Sequence, residues 1–158
     1  MMGIDDADFM EMALEEATAA FAEGEVPVGS VLVIGNTVIA RAHNTKEYSN
    51  DPTNHAEMLA LKSGAQKVGR WRLSDATLYV TMEPCIMCAG AMVNARLGRL
   101  VYGCRDDKGG AVDSLYALLS DQRLNHRVAV VSGVLEEECA EMLKKFFRDK
   151  RQLHANRI

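Results

Sequence analysis

Two short segments of the sequence contain residue types that bind metal ions and transfer protons. Cys85 and Cys88 lie three positions apart in EPCIMC, a spacing that places both thiols on one face of a helix. Pro84 suits the first turn of that helix, where free N–H groups stabilise thiolates and so favour metal binding. The cysteine pair alone is equally compatible with a redox motif or with half of a four-cysteine zinc site.

The best candidate for a third ligand is His55. It begins the helix predicted from NHAEMLAL, just as the cysteines begin theirs, and both helices should start at the same edge of one sheet. Cys104 and Cys139 are poorer candidates, because they are isolated and Cys104 closes an apolar strand in which a small buried thiol fits. One histidine and two cysteines leave the fourth position of zinc open, as in catalytic zinc sites.

Glu57 is the candidate acid–base group of this site. Two positions along an ideal helix correspond to a rotation of about 200°, so His55 and Glu57 should not bind one ion together. A carboxylate that lies close to the metal without binding it can accept a proton from water and deliver it to a leaving group. Simpler roles exist, since His55 could be a hydrogen-bonded core residue and Glu57 could complement the helix dipole. The combination of H-A-E with P-C-x-x-C thirty residues later favours the zinc site.

The elements that position these residues are predicted to alternate along the chain. Helical spacing of apolar residues predicts a first helix that is capped by Asp5 or Asp6 and ends near Gly24. Gly35-Asn36 separates two β-rich segments, VGSVLVI and TVIARA, which indicates a hairpin. After a polar stretch that begins near Asn44, the pattern predicts a helix at 55–64, a strand at 76–82, a helix at 85–95, a strand at 99–103, a short helix near SLYALLS, a strand at 127–133 and a final helix at 135–151.

Strands that are joined through helices should be parallel, whereas the hairpin strands must be antiparallel. We therefore expect one α/β domain over residues 1–158, built as a three-layer α/β/α sandwich around a five-stranded mixed sheet. No apolar run approaches the roughly 20 residues that a membrane span requires, and the acidic N-terminus is unlike a signal peptide. These features favour a cytoplasmic protein that does not bind membranes.

The combination of motifs resembles the zinc-dependent nucleobase deaminases, whose signature is H-x-E with P-C-x-x-C. The resemblance extends from EVPVGSVLV through DPTNHAEML and DATLYVTMEPCIMCAGAM to FFRDKRQ, and it is to the bacterial tRNA-specific adenosine deaminases. It implies a cytidine deaminase-like fold, one Zn²⁺ per subunit on His55, Cys85 and Cys88, and Glu57 as the proton shuttle. It also implies a homodimer, with Asn44 hydrogen-bonded to the flipped base and Asp106 near the sugar of the nucleotide.

The C-terminal end carries a local positive charge on an otherwise acidic chain. Residues 143–158 include six basic residues and one acidic residue, and the whole chain has a net charge of −4. Phe146 and Phe147 are adjacent in this segment, so one should anchor the helix on the core while the other, rotated by about 100°, can stack on a base. The candidates for the RNA contact are Arg148 and Phe147, although adjacency alone does not decide which of Phe146 and Phe147 faces the groove. A solvated basic helix would give the same pattern.

The function expected from these features is hydrolytic deamination of the wobble adenosine to inosine in the tRNA anticodon. An alternative within the same chemistry is a zinc-dependent deaminase of a free nucleobase or nucleoside, such as guanine or cytosine. A free base needs no phosphate-binding surface, and the basic C-terminal segment therefore favours RNA. A non-catalytic zinc or redox module would leave Glu57 and Asn44 without a role.

Overall fold

A mixed sheet of five strands, in the order β2-β1-β3-β4-β5, organises the computed structural model, which describes residues 3–157. The helices are α1 (Asp6–Ala22), α2 (Lys46–Ser49), α3 (Ala56–Val68), α4 (Ile86–Asn94) and α5 (Glu136–Ala155). The strands are β1 (Gly29–Ile34), β2 (Thr37–His43), β3 (Ala76–Met82), β4 (Arg99–Cys104) and β5 (Ala129–Val131). Within the described residues, no helix has the length and apolar character needed to cross a bilayer.

The predicted hairpin and helix cap are present. Gly35 has a φ of 62°, a conformation that glycine adopts at no steric cost, and the turn joins the antiparallel strands β1 and β2. Asp5 caps α1 through a reciprocal pair of hydrogen bonds with Asp8. β1 also pairs antiparallel with β3, whereas β3, β4 and β5 are parallel to one another. The predicted five-stranded mixed sheet is therefore confirmed.

Alternate residues of the central strands point into two separate cores. Leu32, Leu78 and Leu100 occupy equivalent registers of β1, β3 and β4 and pack with residues of α3 and α4. Their neighbours Tyr79 and Val101 point to the opposite face, where they pack with residues of α1 and α5. This alternation follows from the two-residue period of a strand, and it confirms the predicted three-layer sandwich.

Two predictions about individual elements were wrong. Helix α3 does not end near Gly64 but continues to Val68, where Gly69 adopts a φ of 74°. The glycine at position 64 is explained by packing, because a Cβ atom there would lie only 2.3 Å from a methyl group of Leu32. The glycine therefore allows α3 to lie close against the sheet.

The SLYALLS segment forms turns instead of the predicted short helix. Its backbone bonds join Leu115 N–H to Gly110 C=O and Leu118 N–H to Ala111 C=O, which are not the i to i−4 pairs of an α-helix. Leu119 is buried while Leu115 is exposed, so the segment has no continuous apolar face. A short helix, α2, lies instead in the polar stretch after β2.

The directions of the strands decide where the candidate residues meet. β2, β3 and β4 run the same way, since β1 is antiparallel to both β2 and β3. Their carboxyl ends, the start of β1 and the first turns of α3 and α4 therefore share one edge of the sheet. This edge holds the candidate site residues Asn44, His55, Glu57, Cys85 and Cys88.

Candidate active site

Three potential metal ligands converge at this edge. His55 and Cys85 are the residues that precede α3 and α4, both in extended conformation, and Cys88 lies in the first turn of α4. His55 Nδ1 is 3.5 Å from Cys85 Sγ and 3.6 Å from Cys88 Sγ, and the three ligand atoms all lie within 4.8 Å of one another. In the part of the chain that the structure describes, no other three His, Cys, Asp or Glu side chains form such a group.

The geometry and chemistry of this triad fit zinc. Tetrahedral coordination with Zn–N near 2.05 Å and Zn–S near 2.3 Å places N and S about 3.5 Å apart, which is the separation of His55 from both sulfurs. A hydrogen bond from the Cys88 thiol, helped by His55 and opposed by burial, lowers the pKa of Cys85 to about 4. A thiolate is the form of cysteine that binds metal ions.

Glu57 lies beside the triad in the first turn of α3. It is only 4% exposed, and burial raises the pKa of its carboxyl above the usual value against the opposing effects of His55 and the Cys88 thiol. Ser30 of β1 holds this turn, because its hydroxyl donates to the carbonyl oxygen of Ala56 at 2.8 Å. A buried carboxyl group with a raised pKa can accept and deliver protons near neutral pH.

His55, Cys85 and Glu57 line a cleft of about 540 Å³, and Cys88 is buried behind its wall. Three of the residues that the sequence singled out for substrate binding also line it, namely Asn44, Asp106 and Phe147. Arg148 does not contribute to the lining, whereas Arg151 does. Three separate elements contribute cationic side chains to the lining, namely Lys46 from α2, Lys108 from the loop after β4 and Arg151 from α5.

Asn44 is more tightly held than a residue of a polar loop. It is buried, its Nδ2 donates to the Val26 carbonyl at 3.3 Å, and its Oδ1 accepts from the Lys46 amide at 3.1 Å. The side-chain amide retains one N–H and one lone pair for other partners. Replacement of Asn44 would therefore cost stability as well as a contact in the cleft.

The residue before Asn44 fixes the end of β2. Both ring nitrogens of His43 contact carboxylates of the α1 region, Glu16 at 3.1 Å and Glu23 at 3.0 Å. Burial acts to lower the pKa of His43, but these hydrogen bonds outweigh it and the pKa is raised. The imidazole ring is therefore favoured in its charged form, which ties β2 to α1 beside the cleft.

Two buried carboxylates that sequence reasoning did not select hold the two sides of the cleft. On one side, Glu25 accepts hydrogen bonds from the amides of Glu47 and Tyr48, each at 2.9 Å, and so fixes α2 and its Lys46. On the other side, Glu83 accepts hydrogen bonds from the loop that carries Asp106. Burial acts to raise the pKa of Glu83, but the donors on this loop outweigh it and lower the pKa to about 2. Glu25 begins the segment EVPVGSVLV and Glu83 begins EPCIMC, but no local sequence pattern indicates that either carboxylate accepts hydrogen bonds from distant backbone amides.

The two adjacent phenylalanines of α5 face different surroundings. Phe146 is buried and packs edge-on against Phe21, with ring centroids 5.6 Å apart. Phe147 is 43% exposed and lines the cleft, and Arg151 follows it by one helical turn on the same face. The structure thus assigns the anchoring position to Phe146 and the exposed position to Phe147.

Comparisons with known proteins identify the family. A family model of MafB19-like deaminases matches residues 4–151. The tRNA-specific adenosine deaminase of Bacillus subtilis (strain 168) is 51% identical over 147 residues, which cover 93% of this chain and 91% of that relative. A solved structure from studies of A-to-I editing by tRNA:A34 deaminases at the wobble position of transfer RNA matches with a TM-score of 0.83 and 47% identity, over 85% of this chain and 98% of that one. A guanine deaminase of Bacillus subtilis matches with a TM-score of 0.62 and 34% identity, over 65% of this chain and 66% of that one.

The guanine deaminase match covers a smaller share of both chains at a lower identity, so this chain is more similar to the tRNA-specific relatives. They also match nearly the whole length over which the sheet, the triad and the cleft are built. The chain therefore belongs to the MafB19-like deaminases and, among them, to the tRNA-specific adenosine deaminases.

Proposed function

We propose that this protein deaminates the wobble adenosine of a tRNA anticodon to inosine and releases ammonia. The observation that carries the proposal is that one cleft exposes His55 and Cys85 of the triad and the buried Glu57 beside exposed Phe147 and cationic side chains. An anticodon loop presents unstacked bases, which lowers the cost of placing one base in such a cleft. A tRNA substrate also agrees with the expectation of a cytoplasmic protein.

His55, Cys85 and Cys88 would hold one zinc ion. When bound, zinc supplies the Lewis acidity that makes water a nucleophile near neutral pH. The two thiols and the imidazole would supply three of the four ligands that zinc prefers, which would leave room for one further ligand. The sheet edge fixes these side chains through the starts of α3 and α4.

Glu57 would transfer the protons of the reaction. It accepts a proton from the attacking water as the water oxygen bonds to C6 of adenine, and it delivers this proton to N1. A second proton passes from the new hydroxyl group through Glu57 to the amino group. The C6–N6 bond then breaks and ammonia leaves, so that water and adenosine give inosine and ammonia.

The walls of the cleft would orient the nucleotide. The free N–H and lone pair of Asn44 suit hydrogen bonds with the edge of the base. Asp106 stands on the opposite side, where its Oδ1 accepts from the amides of Lys108 and Gly109 while its other oxygen remains available to a sugar hydroxyl. Phe147 offers an aromatic face to a neighbouring base, and Arg148 would contact phosphates beyond the cleft.

We also propose that the protein is a homodimer. An apolar hollow outside the cleft is lined by side chains of α3 and α4, including Met58, Leu59 and Ala91, together with Trp71, which is 57% exposed. The lining also includes polar side chains such as Asp51, Lys62 and Asn94, and an exposed surface that combines apolar and polar side chains in this way is typical of a protein interface. Sedimentation equilibrium should therefore give twice the mass of one chain, and Trp71→Glu should shift the protein towards monomer. A monomeric wild type at micromolar concentration would contradict the proposed dimer.

The substrate is tested by an assay of ammonia and inosine formation. We expect the zinc-loaded protein to convert adenosine in an anticodon stem–loop RNA, and to leave free adenosine, cytidine and guanine unchanged. The physical reason for the difference is that a free base or nucleoside has no phosphate group for the cationic side chains to bind. Ammonia release from guanine or cytidine, with none from RNA, would favour the alternative of a free-nucleobase deaminase.

Two substitutions should separate metal binding from proton transfer. Cys88→Ala removes a ligand and should abolish zinc binding and activity together, whereas Glu57→Gln should keep zinc and lower the turnover number by a factor of about 10² to 10⁴ because an amide does not shuttle protons. Zinc content is measured by atomic absorption, and turnover by inosine formation.

Cys104→Ala is the control for the first substitution, since Cys104 is a buried thiol outside the triad and its loss should leave zinc content unchanged. Full zinc occupancy in Cys88→Ala would refute the ligand assignment. Loss of zinc in Glu57→Gln would make Glu57 a ligand instead of a proton shuttle.

The cationic wall should bind RNA through phosphates. Arg151→Glu should weaken binding of the anticodon stem–loop and flatten the dependence of log Kd on log salt concentration, because each lost phosphate contact removes about 0.7 from the slope on single-stranded RNA. The measurement is a titration at several salt concentrations. Lys67→Glu, at the far end of α3, makes the same charge change on an exposed residue and should alter neither quantity.

An Arg148→Glu variant in the same titration determines how far the contact extends beyond the cleft. A loss equal to that of Arg151→Glu would extend the RNA-binding surface to the side of α5 that carries Arg148. An unchanged salt slope in Arg151→Glu would remove α5 from the proposed RNA-binding surface.

A further inference from the structure

The loop that follows β4 has no regular secondary structure, yet it supplies one wall of the cleft. Asp106 and Lys108, both in this loop, line the cleft, and the segment continues through turns to residue 114. Neither a strand partner nor a helix supplies backbone hydrogen bonds to it. The stability of this wall therefore depends on the other groups that satisfy its amides.

One carboxylate satisfies four of those amides. Glu83 Oε1 accepts from the Asp106 amide at 3.1 Å. Glu83 Oε2 accepts from the amides of Val112, Asp113 and Ser114 at 3.1, 2.8 and 2.9 Å. The Ser114 hydroxyl also donates to Oε1. Both ends of the loop are thus hydrogen-bonded to the same side chain.

The backbone of the loop is wrapped closely around this carboxylate. A Cβ atom at Gly110 would lie 2.3 Å from the carboxyl carbon of Glu83, so any side chain at this position would displace the carboxylate. Two backbone bonds close the structure, from Gly110 N–H to the Asp106 carbonyl at 2.9 Å and from Ala111 N–H to the Pro84 carbonyl at 2.8 Å. The Tyr102 hydroxyl donates to the side chain of Asp113 and fixes the far end.

Glu83 depends on this loop for its own solvation. Its exposed fraction is 3%, and no Lys, Arg or His side chain among residues 3–157 forms an ion pair with it. A buried charge without a cationic partner is tolerated only when hydrogen-bond donors replace water. Opening of the loop would remove those donors, and the carboxylate therefore opposes such opening.

The position of Glu83 in the chain connects this wall to the metal-binding turn. Glu83 follows the last residue of β3 and precedes Pro84 and Cys85. The same side chain thus joins the segment that carries a metal ligand to the loop that carries Asp106 and Lys108. Glu83 also lines the cleft, but the hydrogen bonds of its carboxylate are made with the loop, so its influence should fall on this wall.

We propose that Glu83 is a positioning residue that holds Asp106 and Lys108 in place to receive the nucleotide, and thereby sets the affinity for RNA. This inference rests on the proposed function, since it assigns the two side chains to RNA binding. The chemistry at C6 stays with Glu57 and the triad. Loss of the Glu83 carboxylate should therefore raise KM and leave kcat nearly unchanged.

The test is Glu83→Gln, which keeps the size of the side chain but directs an NH₂ group towards a cluster of N–H donors. We expect KM for the anticodon stem–loop to rise about tenfold, as the loss of charge-assisted hydrogen bonds implies, with kcat within about threefold of wild type. The amides of residues 106–114 should exchange with deuterium faster, while zinc content stays at the wild-type level.

Two further variants make the test specific. Ser114→Ala removes one donor and should cause a smaller rise in KM, about two- to threefold, with faster exchange in the same loop. Should Glu83→Gln fail to fold, this variant decides the question. Glu25→Gln changes the matched carboxylate on the opposite wall and should leave exchange at 106–114 unchanged.

Unchanged exchange at 106–114 in Glu83→Gln would overturn the proposal, and so would faster exchange with an unchanged KM. A loss of zinc with a parallel fall in kcat would also overturn it, because the effect would then pass through Cys85. A wild type that makes no inosine from RNA would refute the proposed function instead. The exchange measurement would still show whether Glu83 holds the loop.

Discussion

The shared direction of β2, β3 and β4 is the constraint on which the rest of the structure depends. Because these strands end at one edge, the helices that follow them begin close together, and His55, Cys85 and Cys88 meet within 4.8 Å. The three candidate ligands lie at the starts of α3 and α4. The triad is therefore formed by the sheet and by the first turns of two helices, which are packed into the core on the same face of the sheet.

Much of this arrangement could be predicted from the sequence because its signals are local. The three-residue spacing of Cys85 and Cys88 predicts that they share a helix face, and Gly35-Asn36 predicts a hairpin turn. Each of these signals, like the helix start at His55, depends only on residues a few positions apart. The errors arose where a local signal had a distant cause. Gly64 resembles a helix end, but its role is set by Leu32 of β1. In SLYALLS, Leu118 and Leu119 pack against the core while Leu115 and Tyr116 are exposed, so the segment has no single helical face.

Glu25 and Glu83 show the limit of sequence reasoning most clearly. Their hydrogen-bond partners are backbone amides 22 to 31 positions away. Because every residue except proline has a backbone N–H, the residue type of such a partner does not reveal the bond. Phe146 and Phe147 illustrate the same limit on a smaller scale. Adjacency predicts that they face different surroundings, but only the packing of Phe21 determines which one is buried.

The hydrogen bonds from backbone amides to the carboxylates of Glu25 and Glu83 have a consequence for the evolution of the substrate range. Since Glu25 and Glu83 hold the main chain of the two walls, the solvent-exposed side chains there contribute little to the shape of the cleft. Tyr48, for example, donates its backbone N–H to Glu25 while its side chain is 88% exposed. Mutations at such positions can alter the electrostatic and stacking character of the rim while the scaffold beneath stays rigid. Recognition of new RNA sequences can thus be acquired in small steps, each nearly neutral for folding.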